Sequence, residues 1–233
     1  MSIAYHLKKV YQRIDNAVSL YDRKSLTPHP VTLLAVSKTH KINKIQEAFE
    51  AGQREFGENY LQEAVDKIIT LKDLPISWHY IGPIQSNKTA KIAQHFDWAH
   101  SVDRLKIARR LSQQRPENLS PLNICLQVNI SAEVSKSGLS PEELPELLEQ
   151  IHQLPGIKLR GLMCIPAKTD SFDEQRAAFH QMKLLYQQLQ KQFSNLDTLS
   201  MGMSADLEAA IAEGSTIVRV GTDIFGTRNK PME

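Results

Sequence analysis

Val31-Thr-Leu-Leu-Ala-Val36 is nearly all apolar and partly β-branched, and it runs directly into Ser37-Lys38-Thr39. A run of that length and type reads as a strand covered on both faces, the mark of a parallel sheet. On its N-terminal side, Ile3, Leu7, Val10, Ile14, Val18 and Tyr21 recur at steps of three and four, which predicts an amphipathic helix over 3–21. Pro28 and Pro30 separate that helix from the strand.

Downstream, one theme repeats: short apolar strand, polar loop, amphipathic helix. Strands are predicted near 54–57, 78–81, 97–101, 122–130, 157–164, 198–201 and 215–220. Helices are predicted near 41–51, 59–72, 87–95, 103–114, 141–153, 172–192 and 204–213, with Pro141 at the first turn of its helix. Strands alternating with helices imply βαβ units. Eight strands in about 200 residues predict an α/β fold, a closed (β/α)₈ TIM barrel with an extra N-terminal helix. The rival is an open doubly wound sheet, but no Gly-x-Gly-x-x-Gly follows the first strand. No linker composition interrupts the chain, so residues 1–233 are expected to form a single domain.

Composition narrows the function class. The chain is 41% hydrophobic and 23% charged, which excludes low-complexity disorder. No apolar run approaches the ~20 residues needed to span a bilayer, and Met1 to Asp15 lacks the unbroken apolar stretch of a secretory signal; a cytoplasmic location is expected. A formal charge of +2 comes from scattered basic residues, so no nucleic-acid surface is expected. Cys125 and Cys164 lie in apolar stretches and read as buried reduced thiols. No Cys or His pair has zinc-ligand spacing.

A barrel of this type carries its functional groups at the C-terminal ends of its strands. Lys38, just past the first strand, is either a solvated loop residue or a Schiff-base lysine, whose amine must be partly neutral to attack a carbonyl. Strands seven and eight end where such barrels bind phosphate. There Gly202 and Ser204, a natural N-cap, follow strand seven, while Gly221 and Thr222 follow strand eight. Arg219 shares a strand face with Ile217 and Gly221 and is expected in the lumen, either paired with a buried carboxylate or bonded to a ligand heteroatom. A lysine, an anion cradle and an arginine between them describe a pocket for pyridoxal 5′-phosphate (PLP).

Six motifs carry a closer likeness. Ala35-Val-Ser-Lys-Thr-His40, Phe56-Gly-Glu-Asn-Tyr60, His79-Tyr-Ile-Gly-Pro-Ile-Gln-Ser-Asn-Lys88, Gly161-Leu-Met163, Leu199-Ser-Met-Gly-Met-Ser-Ala-Asp206 and Val218-Arg-Val-Gly-Thr-Asp-Ile-Phe-Gly226 resemble, in order, those of the pyridoxal-phosphate homeostasis protein family. The likeness runs from about residue 5 to 228. It implies a fold type III barrel related to the alanine racemase N-terminal domain. It also implies a cytoplasmic protein that balances PLP and its vitamers and has no known catalytic turnover. The cofactor implied is PLP, as an aldimine on Lys38. Ser204, Gly221 and Thr222 are implied as phosphate contacts, Arg219 as the ring-side residue, and Asn59 as a further pocket residue. Lys136 is either a solvated loop lysine or a second docking point for the aldehyde.

The competing function is a small PLP-dependent amino-acid racemase or decarboxylase. Two features weigh against it. The chain is expected to lack the further β-domain of barrel racemases, since it stops directly after the eighth unit. No clear partner base stands out either, because Tyr60 and His79 sit in motifs that packing also explains. The expected partners are B6 vitamers and PLP-dependent apo-enzymes, and a monomer is expected.

Overall fold

The computed structural model describes residues 2–22, 29–131 and 137–227, so Lys136 lies outside the described residues. Eight parallel strands close in sequence order into a barrel: β1 (Thr32–Val36), β2 (Glu55–Glu58), β3 (Ser77–Tyr80), β4 (Trp98–Val102), β5 (Leu122–Val128), β6 (Ile157–Cys164), β7 (Thr198–Met203) and β8 (Ile217–Val220). Closure comes from β1 lying beside β8, with Leu33 opposite Val218 and Leu34 opposite Arg219. The open doubly wound alternative is thereby ruled out.

All but the last of the helices fall where the apolar periodicity places them: α1 (Ile3–Leu20), α2 (Ile42–Glu50), α3 (Leu61–Thr70), α4 (Thr89–His95), α5 (Leu105–Gln114), α6 (Leu144–His152), α7 (Phe172–Gln190), α8 (Leu207–Ala212) and α9 (Thr222–Phe225). Ser2 caps α1 by accepting from the amide of Tyr5, and Ile3, Leu7, Val10, Ile14 and Ala17 form its buried stripe. Full burial of each larger side chain in that stripe contributes about 1.5–3 kcal/mol. The stripe lies on α2, α8 and α9, so α1 covers the seam where β8 meets β1. Cys125 and Cys164 are free and fully buried, and burial pushes each thiol up to about 12.

Three local departures from the sequence reading have physical causes. Pro141–Glu143 forms a tight 3₁₀ turn ahead of α6, held by the Ser140 amide donating to Glu143 at 2.7 Å. Strand β7 runs two residues further than expected, and α8 opens at Leu207 rather than at 204. The short helix α9 after β8 has no counterpart in the periodicity, being a single turn.

Close backbone approach fixes β6 against β7. A Cβ at Gly161 would stand 1.8 Å from the carbonyl oxygen of Thr198, a backbone atom that cannot yield cheaply. Gly161→Ala should therefore cost about 4 kcal/mol or more of unfolding free energy, in the range reserved for a named steric fault. Urea denaturation checks this, and a variant within about 1 kcal/mol of the parent would refute the packing account.

Candidate functional site

The first strand delivers Lys38 into a heavily braced turn. Ser37 donates its amide to Gly57 at 3.0 Å and its hydroxyl to Glu58 at 2.7 Å. The buried Lys67 ammonium donates to the Ser37 carbonyl at 2.8 Å, to Glu58 at 2.7 Å and to Glu63 at 2.5 Å. Glu63 also accepts the Thr39 amide at 2.7 Å. That bond holds Thr39 at φ +66°, a left-handed conformation that costs a β-branched residue on the order of 1–3 kcal/mol. Burial raises the affinity of the Glu58 carboxyl for its proton, and the Lys67 charge only partly offsets this. The backbone on either side of Lys38 is thus fixed, and its half-buried side chain lines a cavity at the barrel mouth.

The far wall of that cavity comes from β7 and β8. Gly202 takes φ +94°, and a Cβ there would meet that of Ala210 at 2.6 Å, so the end of β7 turns tightly over α8. Ser204 follows in the turn but is not the helix N-cap. The cap position belongs to Asp206, whose carboxylate accepts the amide of Met203 at 2.5 Å and closes the turn that precedes the helix. Gly221 and Thr222 open α9, where the first amides of a helix have no acceptor within it.

Arg13 ties these two loops together. Its guanidinium donates to the Ser204 carbonyl at 2.9 Å, to Glu208 at 2.7 Å and to Asp223 at 2.6 Å. Sequence reasoning missed this residue, although a signal existed: Arg13 flanks the buried stripe of α1 between Val10 and Ile14.

Arg219 lies in the lumen, as its strand face requires. It donates to the Ser200 carbonyl at 2.7 Å, to the Ser200 hydroxyl at 2.8 Å and to the Cys164 carbonyl at 2.9 Å. Burial disfavours its charged form and lowers its pKa. No carboxylate pairs with it directly among the described residues. Three of its five N–H donors are engaged, leaving capacity for an acceptor in the cavity it lines.

One cavity of about 280 Å³ is lined by Lys38, Asn59, Ser204, Arg219, Gly221 and Thr222 together. All six expected site residues therefore meet at one place. Its remaining lining is mostly apolar, from Val36, Ile81, Met163, Ile165, Met203 and Ala205. His40 also lines it, with its ring 5.2 Å from that of Phe225. These walls were not singled out in the sequence, though Ile81 and Met163 obey the same rule of strand ends. Tyr60 lines a neighbouring groove instead, and His79 lies inside the barrel beneath the cavity. Among the described residues, the side-chain oxygen of Asn59 is buried with no hydrogen-bond partner, an acceptor that a ligand donor would satisfy. The arrangement suits a ligand with a flat apolar body, an anionic end and an electrophilic carbonyl. No group of three or more His, Cys, Asp or Glu among the described residues could hold a metal ion. No described helix is long and apolar enough to cross a membrane.

Comparison with known proteins agrees with this geometry. Residues 12–229 match the alanine racemase N-terminal domain family. The pyridoxal phosphate homeostasis protein of Pseudomonas aeruginosa is 57% identical over 228 residues, 98% of this chain and 96% of that protein. Its namesake in Escherichia coli K12 is 50% identical over 230 residues, 97% of each chain. PipY of Synechococcus elongatus PCC7942, solved with PLP bound, is 40% identical with a TM-score of 0.83, covering 97% of this chain and all of that one. An alanine racemase of Clostridium difficile shares the fold at 14% identity and a TM-score of 0.67, and this chain covers 58% of it. The chain belongs to the pyridoxal phosphate homeostasis protein family, built on the alanine racemase N-terminal domain.

Proposed function

We propose that this chain binds PLP in the barrel-mouth cavity and serves PLP homeostasis, holding the cofactor and releasing it to apo-enzymes in the cytoplasm without amino-acid turnover. The observation that carries the reading is the convergence of Lys38, Arg219, Asn59 and the β7 and β8 loops on one cavity. The family membership and the PLP-bound PipY structure support it. When bound, the cofactor supplies an aldehyde carbon open to reversible attack by an amine and a pyridine ring able to delocalise charge.

The residues divide that task. Lys38 is the amine that holds the aldehyde covalently, and its braced turn presents it with little conformational cost. The hydroxyls of Ser204 and Thr222, with the amides of Gly221 and Thr222, take the phosphate. Arg219 stands beside the ring nitrogen, where a permanent cation opposes protonation of that nitrogen. Asn59 lines the same cavity and is a further contact for the cofactor. The apolar lining covers the ring faces and excludes water from them.

Among the described residues lining the cavity, the charged or titratable side chains are Lys38, His40 and Arg219. A racemase or decarboxylase would need a second acid–base group on the reacting carbon; neither Tyr60 nor His79 lines this cavity, and His40, which does, is buried with its ring packed 5.2 Å from that of Phe225. The chain is read as one unit that acts as a monomer, with the barrel carrying the whole site.

The phosphate assignment has a specific test. A hydrogen bond to a charged group contributes roughly 1.5–3 kcal/mol, so Ser204→Ala and Thr222→Ala should each weaken PLP binding about tenfold or more. Pyridoxal, which lacks the phosphate, should bind both variants as it binds the parent. Equal weakening of the two ligands by fluorescence titration would reject the assignment.

The delivery role is checked by mixing loaded protein with a cofactor-free transaminase and following restored activity. The control is free PLP equal to the amount released spontaneously. Restoration beyond that control is expected, with no racemised, decarboxylated or transaminated product from a panel of L-amino acids incubated with the protein alone. Sustained turnover that vanishes in Lys38→Ala would establish the enzyme reading instead.

A further inference from the structure

Beneath the cavity, the barrel interior is polar along one continuous line. The Ser200 hydroxyl, on β7, lies 2.8 Å from an Arg219 Nη and 2.8 Å from His100 Nδ1, on β4. His100 Nε2 lies 2.9 Å from His79 Nδ1, on β3. His79 Nε2 lies 2.6 Å from a carboxylate oxygen of Glu55, the first residue of β2. His79, His100 and Ser200 are buried, and the Glu55 side chain is one-third exposed at the N-terminal end of the barrel. The His79 ring is further fixed by stacking on Trp98, with centroids 5.3 Å apart and planes within 6°.

With both imidazoles neutral and Glu55 ionised, the direction of every hydrogen bond along this line is set. Arginine has donors only, so the Ser200 oxygen accepts from Arg219. The single hydroxyl proton of Ser200 then goes to His100 Nδ1, its other partner. His100 must therefore carry its proton on Nε2 and donate to His79 Nδ1. His79 in turn carries its proton on Nε2 and donates to Glu55. One proton arrangement satisfies all four contacts with both imidazoles neutral. Two electrostatic facts agree with it. Burial above all, with the Arg219 charge nearby, holds His100 well below the ordinary histidine range. Burial alone would raise Glu55, but His79 and the Ser77 hydroxyl, both hydrogen-bonded to it, leave the carboxyl below its usual value, so it is the ionised, accepting end of the line.

We propose that Glu55, His79, His100 and Ser200 are positioning residues, a one-way hydrogen-bond relay that orients Arg219 in the cavity and connects its charge to a carboxylate at the opposite end of the barrel. The relay supplies what a buried guanidinium without a direct ion pair otherwise lacks. Truncating it at Ser200 would leave Arg219 on two carbonyls alone and free to shift. The relay itself stands on the side-chain geometry; its effect on a ligand rests on the PLP reading of the same cavity.

The test reads histidine tautomers first. Two-bond proton–nitrogen correlation spectra of ¹⁵N-histidine-labelled full-length protein at neutral pH should show His79 and His100 as neutral, Nε2-protonated rings. In Ser200→Ala the His100 resonances should move toward a mixture of tautomers. Its affinity for PLP should fall about three- to tenfold, with a shifted absorption band of the bound cofactor. Ser200→Thr should restore all three. An Nδ1-protonated or cationic His100 in the parent protein, or a Ser200→Ala variant with unchanged affinity and spectrum, would overturn the proposal. Expected tautomers in a protein that fails to bind PLP at all would count against the functional reading and leave the hydrogen-bond relay in place.

Discussion

The parallel pairing of β1 with β8 sets residues 32–35 against residues 217–220, and the site depends on that contact. It closes the barrel, and it carries the turn holding Lys38 to the side of Gly221 and Thr222. The two strands are the most distant in sequence, so their meeting costs the most loop entropy of any strand pair in the barrel. That cost is met only when all eight strands are in register, which makes assembly of the site and completion of the fold one event. Helix α1 lies across the same seam, and Arg13 extends its reach to the loops after β7 and β8.

A packed barrel is usually filled with branched apolar side chains. Here a line through the interior is given over to Glu55, His79, His100, Ser200 and Arg219, and a second buried polar group, Glu58 with Lys67, braces the turn at Lys38. Buried polar groups destabilise a fold unless their hydrogen bonds are made. In both clusters nearly every donor and acceptor has a partner, and both lead to a residue lining the cavity. The barrel has exchanged apolar stability for fixed orientation of Lys38 and Arg219, the arrangement a preformed binding site requires.

The strands were legible because each is a short apolar run between turn residues, and the helices because their stripes keep a period of three and four. The rule that chemistry sits at strand ends then located Lys38, Ser204, Arg219, Gly221 and Thr222, while Asn59 came from the family motif. What could not be read depends on contacts distant in sequence. Arg13 reaches partners 191 to 210 residues away, and His100 meets Ser200 across 100 residues, so no local spacing announces either. The cap role expected of Ser204 failed because the chain makes one more turn, closed by the Asp206 carboxylate accepting the Met203 amide, before the helix starts at Leu207. For Arg219, the sequence left a choice between a buried carboxylate and a ligand. The structure shows no direct carboxylate partner among the described residues, with Glu55 reached only through three intervening side chains.

The central claim is that the cavity at the barrel mouth holds PLP through Lys38. Borohydride reduction of the loaded protein, followed by proteolysis and mass spectrometry of the labelled peptide, tests it most directly. One pyridoxyl group is expected on the peptide containing Lys38, lost in Lys38→Ala while the folded state is retained. A label confined to another lysine with Lys38 unmodified, or no stable adduct after reduction, would contradict it.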